Sequence, residues 1–122
     1  MTQASRRGKM PVMPSFQPAK LLRLHFTERD SYRGQALYKA IVEKCREMKI
    51  AGVTVFRGIE GFGETAEIHR AGSLSHNSPI VVHVVDTAEN IDRLLPLFEE
   101  MMDGGLIAIS NVNVLRIQAG VR

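Results

Sequence analysis

Three glycines, at positions 58, 61 and 63, lie beside two charged side chains, Arg57 and Glu60. Glycine permits tight turns and lets backbone N–H groups approach a bound anion closely. The cluster is therefore either a flexible turn or bulge, or a cradle for a ligand. In the same way, Arg57 and Glu60 form either an ion pair or direct contacts with that ligand.

Arg116 is a second candidate for ligand binding, because it stands among apolar residues in a segment, 112–118, whose pattern predicts a strand. A buried or interfacial guanidinium requires an anionic or hydrogen-bonding partner. We expect that partner to be either an anionic ligand or an acidic side chain across a subunit interface.

Four histidines are the candidate metal ligands, namely His25, His69, His76 and His83. Their spacings do not bring two rings together on one helix face or one strand face. A metal site would need symmetry-related copies of the chain, and no metal ligand is predicted. His83, between two valines, is interpreted as a packed histidine whose ring finds a partner across an interface.

No catalytic residue is predicted. Cys45 falls on the apolar stripe of a helix, where a thiol behaves as a small hydrophobe. The neighbouring carboxylates of Glu99 and Glu100 are predicted to lie on a solvent-facing turn, where solvation alone explains their presence. The sequence offers no Ser-His-Asp arrangement, so it predicts a protein that is not an enzyme.

The elements that position these residues follow the order β-α-β twice. Residues 20–27 alternate apolar and polar side chains, as a strand with one buried face does. An amphipathic helix follows, and Gly52 is predicted to end it in a left-handed conformation before a strand at 53–56. The remaining elements are a connection at 57–79 with room for a short strand at 66–71, a strand at 80–85, a helix that ends before 104, an extended piece at 106–109 and a strand at 112–118. Asp86 or Thr87 is predicted to cap the second helix, and Asp86 also fits a capping box with Glu89.

Two such units in tandem predict an α+β fold, the ferredoxin-like βαββαβ sandwich, with a four-stranded antiparallel sheet and two helices on one face. The other face of the sheet is left bare. Because residues 80–85 are apolar on both sides, that face should not meet water. The simplest way to bury that face is contact with another copy of the chain, so a homo-oligomer is predicted.

The 122 residues leave room for one domain, predicted at 20–122 behind a flexible basic arm at 1–19. The net charge of +3 comes from that arm, because the remainder carries equal numbers of acidic and basic side chains. A nucleic-acid partner is therefore not expected. No apolar run has the length of a membrane helix, and the single cysteine suits the cytoplasm, the predicted location.

Three segments resemble the PII signal-transduction superfamily: residues 52–55 (GVTV) with 61–63 (GFG), residues 103–107 (DGGLI) and residues 114–120 (VLRIQAG). The stretch from residue 21 to residue 63 is closer still to a PII-like group, domain-of-unknown-function family 190. The resemblance covers residues 20–119.

This resemblance implies a homotrimer of ferredoxin-like subunits with ligand clefts between neighbours. Sensors of this kind bind an adenine nucleotide as effector and signal through the 57–79 loop to a protein target, often a membrane transporter or an enzyme. Neither a reaction nor a cofactor is implied. Carried onto this chain, the candidate ligand-binding residues are Thr54, Arg57, Gly61, Phe62, Gly63, Gly104 and Arg116.

Two positions depart from the PII pattern. Gly105 stands where those sensors carry a phosphate-binding lysine, and Gln118 stands where they carry a second arginine. Each charge-assisted hydrogen bond contributes about 1.5–3 kcal/mol, so a triphosphate should bind weakly. A smaller or less charged ligand, such as AMP or another adenine nucleotide, stays compatible with the site, because Gly61, Gly63 and Gly104 let backbone N–H groups approach it. The alternatives are a constitutive trimeric scaffold without nucleotide binding, and a metal-responsive trimer resembling the divalent-cation-tolerance branch of the fold.

Overall fold

The computed structural model describes residues 15–63, 68–70 and 77–117. Its main elements are β1 (Gln17–Thr27), α1 (Leu37–Glu47), β2 (Gly52–Arg57), β3 (Pro79–Asp86), α2 (Ala88–Met101) and β4 (Leu106–Val114). Two short antiparallel ladders pair Ser31–Tyr32 with Gln35–Ala36, and Glu60–Gly61 with His69–Arg70. The second ladder confirms a short strand inside the segment 66–71.

The four main strands form one antiparallel sheet in the order β2-β3-β1-β4. This is the strand order of the ferredoxin-like sandwich, and the predicted α+β fold is confirmed. The two inner strands are β3 and β1, whereas β2 and β4 are the edges. Every residue of β2 is therefore separated from β4 by two intervening strands.

The core lies between this sheet and the two helices, because side chains alternate between the faces of a strand. On β1 the buried positions are Leu22, Leu24 and Phe26, and on β3 they alternate in the same way from Ile80 onwards. Apolar residues of both helices join these strand residues in a single buried cluster. Both helices therefore cover the same face of the sheet, as predicted.

The other face of the sheet, called the open face here, is not covered by any of the described residues. Its positions on β3 are Val81, His83 and Val85, which are all half-buried. The edge residues Phe56 and Leu106 keep 48% and 57% of their surface exposed. As predicted, β3 carries valines on both of its faces, and the cover of the open face by another copy stays a prediction. Within the described part of the chain, neither helix is both long and apolar enough to cross a membrane.

The first strand begins at Gln17 instead of residue 20, so residues 17–19 belong to the sheet and not to the predicted arm. Antiparallel pairing with β4 extends the strand, since Gln17 lies opposite Val114. The strand thus extends through Pro18 because of this pairing, since a proline is tolerated near the start of a strand. Residues 1–14 lie outside the described residues.

The end of α1 differs from the prediction that Gly52 would close it. The helix ends at Glu47, and Lys49 takes the left-handed conformation with φ 57°. The N–H of Ile50 donates to the carbonyl of Cys45, and that of Lys49 donates to Arg46, which together are a Schellman motif. Gly52 instead begins β2.

Asp86 joins α2 to the start of β2 and forms no capping box with Glu89 in the structure. Thr87 is the N-cap residue, and its hydroxyl accepts a hydrogen bond from the N–H of Asn90 at 3.2 Å. The Asp86 carboxylate accepts from the N–H of Ala51 at 2.8 Å, the N–H of Thr87 at 2.6 Å and the Asn90 amide at 2.9 Å. Burial opposes ionisation of this carboxyl, but these hydrogen bonds outweigh it and lower the pKa of Asp86.

Candidate functional site

The base of the 57–79 loop is closed by Glu28, which follows β1. Its carboxylate accepts a hydrogen bond, 2.6 Å long, from the guanidinium of Arg57, which lies at the start of the loop. It also accepts from the backbone N–H and the hydroxyl of Ser78, at the end of the loop. Burial acts to raise the pKa of Glu28, yet Arg57 and Ser78 together hold it below its usual value. One ionised carboxylate therefore ties both ends of the loop together.

Backbone pairing reinforces this closure. The N–H of Glu28 donates to the carbonyl of Ser78 at 2.8 Å, and the N–H of Gly58 donates to the carbonyl of Pro79 at 2.7 Å. Ser78 is only 2% exposed, so this end of the loop is anchored in the interior. Arg57 remains half-exposed and lies where an incoming anion can compete with Glu28 for the guanidinium.

The loop glycines divide into two kinds. A Cβ at Gly58 would lie 3.1 Å from Cγ of Pro79, and one at Gly61 would lie 3.4 Å from it, so the packing of the loop base favours small residues there. A Cβ at Gly63 would meet no atom within 4 Å. Phe62 is 70% exposed between them. Packing explains why position 58 and, in part, position 61 are glycine. Gly63 and Phe62 have no such packing role, and both are accessible to a ligand.

The turn before β4 has a strict requirement for glycine at one position. Gly105 has φ 99°, and a Cβ there would overlap the carbonyl oxygen of His25. A side chain at this position is therefore excluded by the backbone conformation, so the turn supplies no cationic side chain there. Gly104 is exposed and has open space around it, so its backbone is accessible to a ligand.

Arg57 and the Gly104 turn lie at the same end of the sheet but on opposite edges. Arg57 is paired with Ile80 on β3, and Ile80 is paired with Phe26 on β1. Leu106, which opens β4, lies opposite His25, one residue before Phe26. Three strand spacings of about 4.8 Å separate the two edges, or roughly 14 Å. A single subunit does not bring these candidate residues into one pocket.

Arg116 lies outside the strand in which it was predicted. The extended piece predicted at 106–109 and the strand predicted at 112–118 form one continuous strand, β4, which ends at Val114. Arg116 therefore follows this strand, and the residue is exposed. The eight steps from Leu106 to Val114 at about 3.4 Å per residue place it roughly 27 Å from the Gly104 turn. Gln118 lies outside the described residues. The strand assignment of Arg116 was wrong, and its contact with a ligand stays a prediction.

Thr54 is exposed in the centre of the open face, where it lies opposite His83. It is three residues from Arg57 along β2, so the two side chains point to opposite faces of the strand. The predicted ligand-binding residues therefore fall into separate groups: the loop base, the Gly104 turn, the open face and the chain after β4.

Other chemistry has little support in the described part of the chain. Cys45 is buried, and burial raises the pKa of its thiol to about 11, as expected for a packing residue. The described residues contain no group of three or more metal-ligating side chains. A groove of about 380 Å³ lies between the start of β1 and the start of α2, lined in part by Lys20 and Asn111, and none of the predicted ligand-binding residues lines it.

Sequence reasoning missed Glu28 and Ser78, and it considered Glu60 as the partner of Arg57. Glu28 and Arg57 are 29 residues apart, so no local spacing links them. The available signal was an acidic residue, Glu28, directly after the first predicted strand. Antiparallel pairing of β1 with β3 brings that turn to the end of the loop.

The strand order places this chain in the class of ferredoxin-like folds, and solved structures of PII-like proteins and of CutA1 proteins share that fold. CPII from Thiomonas intermedia K12, a nitrogen regulatory PII-like protein bound to ADP, AMP and bicarbonate, superposes with a TM-score of 0.62 at 16% identity. That match covers 84% of this chain and 92% of CPII. The divalent ion tolerance protein CutA1 from Ehrlichia chaffeensis gives a TM-score of 0.52 at 15% identity, over 88% of each chain.

The chain belongs to the DUF190 family, described as "Uncharacterized ACR", whose model matches residues 19–114. A UPF0166 protein of Aquifex aeolicus (strain VF5) is 39% identical over 100 residues, which cover 79% of this chain and 92% of that relative. The resemblance to this PII-like group is thereby confirmed. The likeness to CPII and CutA1 shows the shared fold.

Proposed function

We propose that this protein is a cytoplasmic PII-like regulatory protein, and that it is not an enzyme. It forms a homotrimer, binds an adenine nucleotide in the clefts between subunits and signals to a protein target through the 57–79 loop. A membrane transporter or an enzyme is the expected class of target. The family and the fold support the regulatory class, and the placement of the candidate residues supports the cleft.

The single observation that carries the proposal is the position of Arg57 and Gly104 at one end of the sheet but on opposite edges. In a ring of subunits related by rotation, one edge of each subunit meets the other edge of its neighbour. Such a head-to-tail contact places the loop base of one copy beside the Gly104 turn of the next. A ligand there contacts both groups, which one chain holds roughly 14 Å apart.

The charge of the cleft favours a nucleotide with few phosphates. Gly105 cannot carry a cationic side chain, and the Arg57 guanidinium is already neutralised by Glu28. Backbone N–H groups near Gly63 and Gly104, together with the Arg57 guanidinium once it leaves Glu28, bind the phosphate oxygens of AMP or ADP. The description of CPII as bound to ADP and AMP agrees with this preference.

Signalling follows from the ion pair that closes the loop. A phosphate that attracts Arg57 draws it away from Glu28 and so loosens the link to Ser78. The energy involved is modest, because a half-exposed ion pair contributes about 0–1 kcal/mol. A small bias of this kind is enough to shift a loop between two conformations of similar free energy.

The test is isothermal titration calorimetry of the full chain with AMP, ADP, ATP and cyclic AMP, together with multi-angle light scattering for the subunit number. We expect a trimer that binds AMP or ADP more tightly than ATP. Arg57→Gln should weaken nucleotide binding. Arg46→Gln, which changes an exposed arginine on α1, should leave it unchanged. A trimer that binds none of these nucleotides would support the scaffold alternative instead.

A complementation experiment tests the shared cleft directly. Gly104→Asp places a carboxylate at the turn without disturbing packing, because open space surrounds this glycine. Arg57→Gln and Gly104→Asp subunits should each bind AMP weakly alone. Co-refolded mixtures should recover binding, since some clefts then combine an intact loop base with an intact turn. No recovery in verified mixed trimers would contradict a cleft shared between subunits.

A metal-responsive trimer is the second candidate, favoured by the likeness to CutA1, whose description names divalent ion tolerance. The nucleotide titration and a parallel titration with Cu²⁺ and Zn²⁺ separate the two candidates. Saturable metal binding with no nucleotide binding would favour the metal function.

A further inference from the structure

The sheet has two free edges, β2 and β4, and both lack the features that normally protect an exposed strand. Residues 52–56 and 106–114 contain no charged residue and no proline. Within the described residues, β2 pairs only with β3, and β4 pairs only with β1. An uncharged edge offers unpaired backbone N–H and C=O groups to another strand, and stable proteins usually cover such an edge. Both edges are therefore expected to be paired in the assembled protein.

The exposed apolar side chains of the sheet are concentrated on the same two edges. Within the four main strands, the exposed large apolar residues are Phe56 on β2, at 48%, and Leu106 and Ile109 on β4, at 57% and 46%. The inner strands β1 and β3, which are described throughout, carry none. Apolar surface of this kind gains free energy when another apolar surface covers it.

The two edges are complementary in direction. Each strand of the sheet is antiparallel to its neighbour, so β2 and β4, three places apart, run in opposite directions. β2 of one copy can therefore lie beside β4 of the next copy and continue the antiparallel pattern of the sheet. Such a contact is head-to-tail, and a head-to-tail contact between identical chains closes into a ring when the rotation permits.

The registers inside one subunit show which residues of the two edges would meet. Followed across β3 and β1, the pairings place Phe56 level with Leu106, and Val53 level with Ile109. The first pair lies on the open face, and the second lies on the face that the helices cover. A neighbour at the same height therefore places apolar residues of one edge opposite apolar residues of the other, on both faces of the sheet.

We propose that β2 of one copy pairs with β4 of the next copy as antiparallel strands, with Phe56 against Leu106 and Val53 against Ile109. The partner is thus a second copy of this chain, bound by main-chain hydrogen bonds and by two apolar cross-strand pairs. A ring of copies joined in this way is one closed sheet without a free edge. Because the helices fill one face, the open faces turn toward the ring axis, where water is excluded from them.

This inference rests on the homotrimer of the proposed function and adds the contact that builds its cleft. Arg57 follows Phe56, and Gly105 precedes Leu106, so the apolar pairing ends where the loop base of one copy reaches the turn of the next. The exposed backbone of Gly104 then lies at the end of the paired strands. The pairing itself uses only backbone and apolar groups, so it requires no nucleotide.

Engineered disulfides test the pairing in the full chain. Thr54 and Ala108 lie level with each other on the open face, and within one subunit three strand spacings of about 4.8 Å separate them. A disulfide requires Cα atoms about 4.4–6.8 Å apart, so Thr54→Cys with Ala108→Cys can form one only between copies. Mild oxidation should give covalent trimers on a non-reducing gel. Neither single variant should cross-link, because like edges do not meet and Cys45 is buried.

Opposite charges at the same contact provide a test that needs no oxidation. Phe56→Glu and Leu106→Lys change exposed positions, and each should weaken association at least about tenfold, because a charged edge residue opposes edge-to-edge pairing. The two together should restore the trimer in light scattering, since the charges then face each other. Phe56→Glu with Ile109→Lys should not, because these residues lie on opposite faces. Ile117→Lys, at an exposed position after β4, is the control that should remain trimeric.

Several results would overturn the strand pairing. They are a monomeric wild-type protein, a disulfide in either single-cysteine variant, a folded double-cysteine trimer that does not cross-link, and charge reversal that restores association no better than the mismatched pair. Calorimetry with AMP and ADP is read separately. Cross-linked trimers that bind neither nucleotide would refute nucleotide binding and support the pairing, whereas a nucleotide-binding trimer without cross-links would refute the pairing alone.

Discussion

The Glu28 carboxylate lies 2.6 Å from the Arg57 guanidinium and also accepts hydrogen bonds from Ser78, so a residue after β1 joins the two ends of the 57–79 loop. Arg57 was expected to contact either a ligand or an acidic partner, and in the structure an acidic partner holds it. The same arginine is the side chain of the loop base that an anionic ligand would attract. In the proposed function, loop closure and ligand binding compete for this one guanidinium.

Removal of the Glu28 charge should favour ligand binding and loosen the loop. In Glu28→Gln, Arg57 loses its counter-ion and is free to meet a phosphate, so AMP affinity should rise about three- to tenfold, or ~1 kcal/mol. Amide hydrogen exchange should become faster at residues 58 and 78. Glu43→Gln, on the exposed side of α1, is the matched control. Unchanged AMP affinity in Glu28→Gln would contradict competition for Arg57.

The two glycines before β4 should differ sharply in their tolerance of a side chain. Gly105→Ala forces a Cβ into a left-handed backbone and against the carbonyl of His25, so the free energy of unfolding should fall by at least ~2 kcal/mol. Gly104→Ala meets open space and should cost less than ~0.5 kcal/mol. Urea unfolding followed by circular dichroism measures both. Equal costs for the two variants would count against the turn geometry described above.

Stability should depend on acid pH through Asp86. Its pKa in the folded state lies below the ordinary 3.8, so the ionised carboxylate stabilises the fold above that value. That contribution is lost as the pH falls through the folded-state pKa. Asp86→Asn should therefore lower the free energy of unfolding by about 1–3 kcal/mol at pH 7 and by less at pH 3. Asp103→Asn, an exposed change, should shift neither value by more than ~0.5 kcal/mol.

The Cys45 thiol should not react in the folded protein. It is 1% exposed and its pKa is raised to about 11, so almost no thiolate forms at pH 8. Incubation with a thiol-specific disulfide reagent should release about one equivalent only after urea unfolding. Rapid labelling of the native protein would show that the helix face is accessible and that Cys45 is more than a packing residue.

The fold was predictable because the apolar residues of each strand and helix recur with the period of that element, which is visible in the local sequence. Alternation at Leu22, Leu24 and Phe26 specifies a strand with one buried face, and the helical spacing of apolar residues specifies α1 and α2. Helix and strand ends were less predictable. The Schellman motif at Lys49 depends on how the chain continues into β2, and a lysine in that position carries no compositional signal of a left-handed residue.

The sequence by itself determined the element order, the buried faces, the family resemblance and the residue types able to bind an anion. Tertiary structure alone decided which of those residues meet. Sheet pairing brought Glu28 to Arg57, placed Arg57 and Gly104 on opposite edges, and assembled Arg23 with His83 on the open face. The physical reason is that the alternation of buried and exposed side chains depends only on the local sequence of each strand. Strand order and register depend instead on contacts between segments that are far apart in the chain.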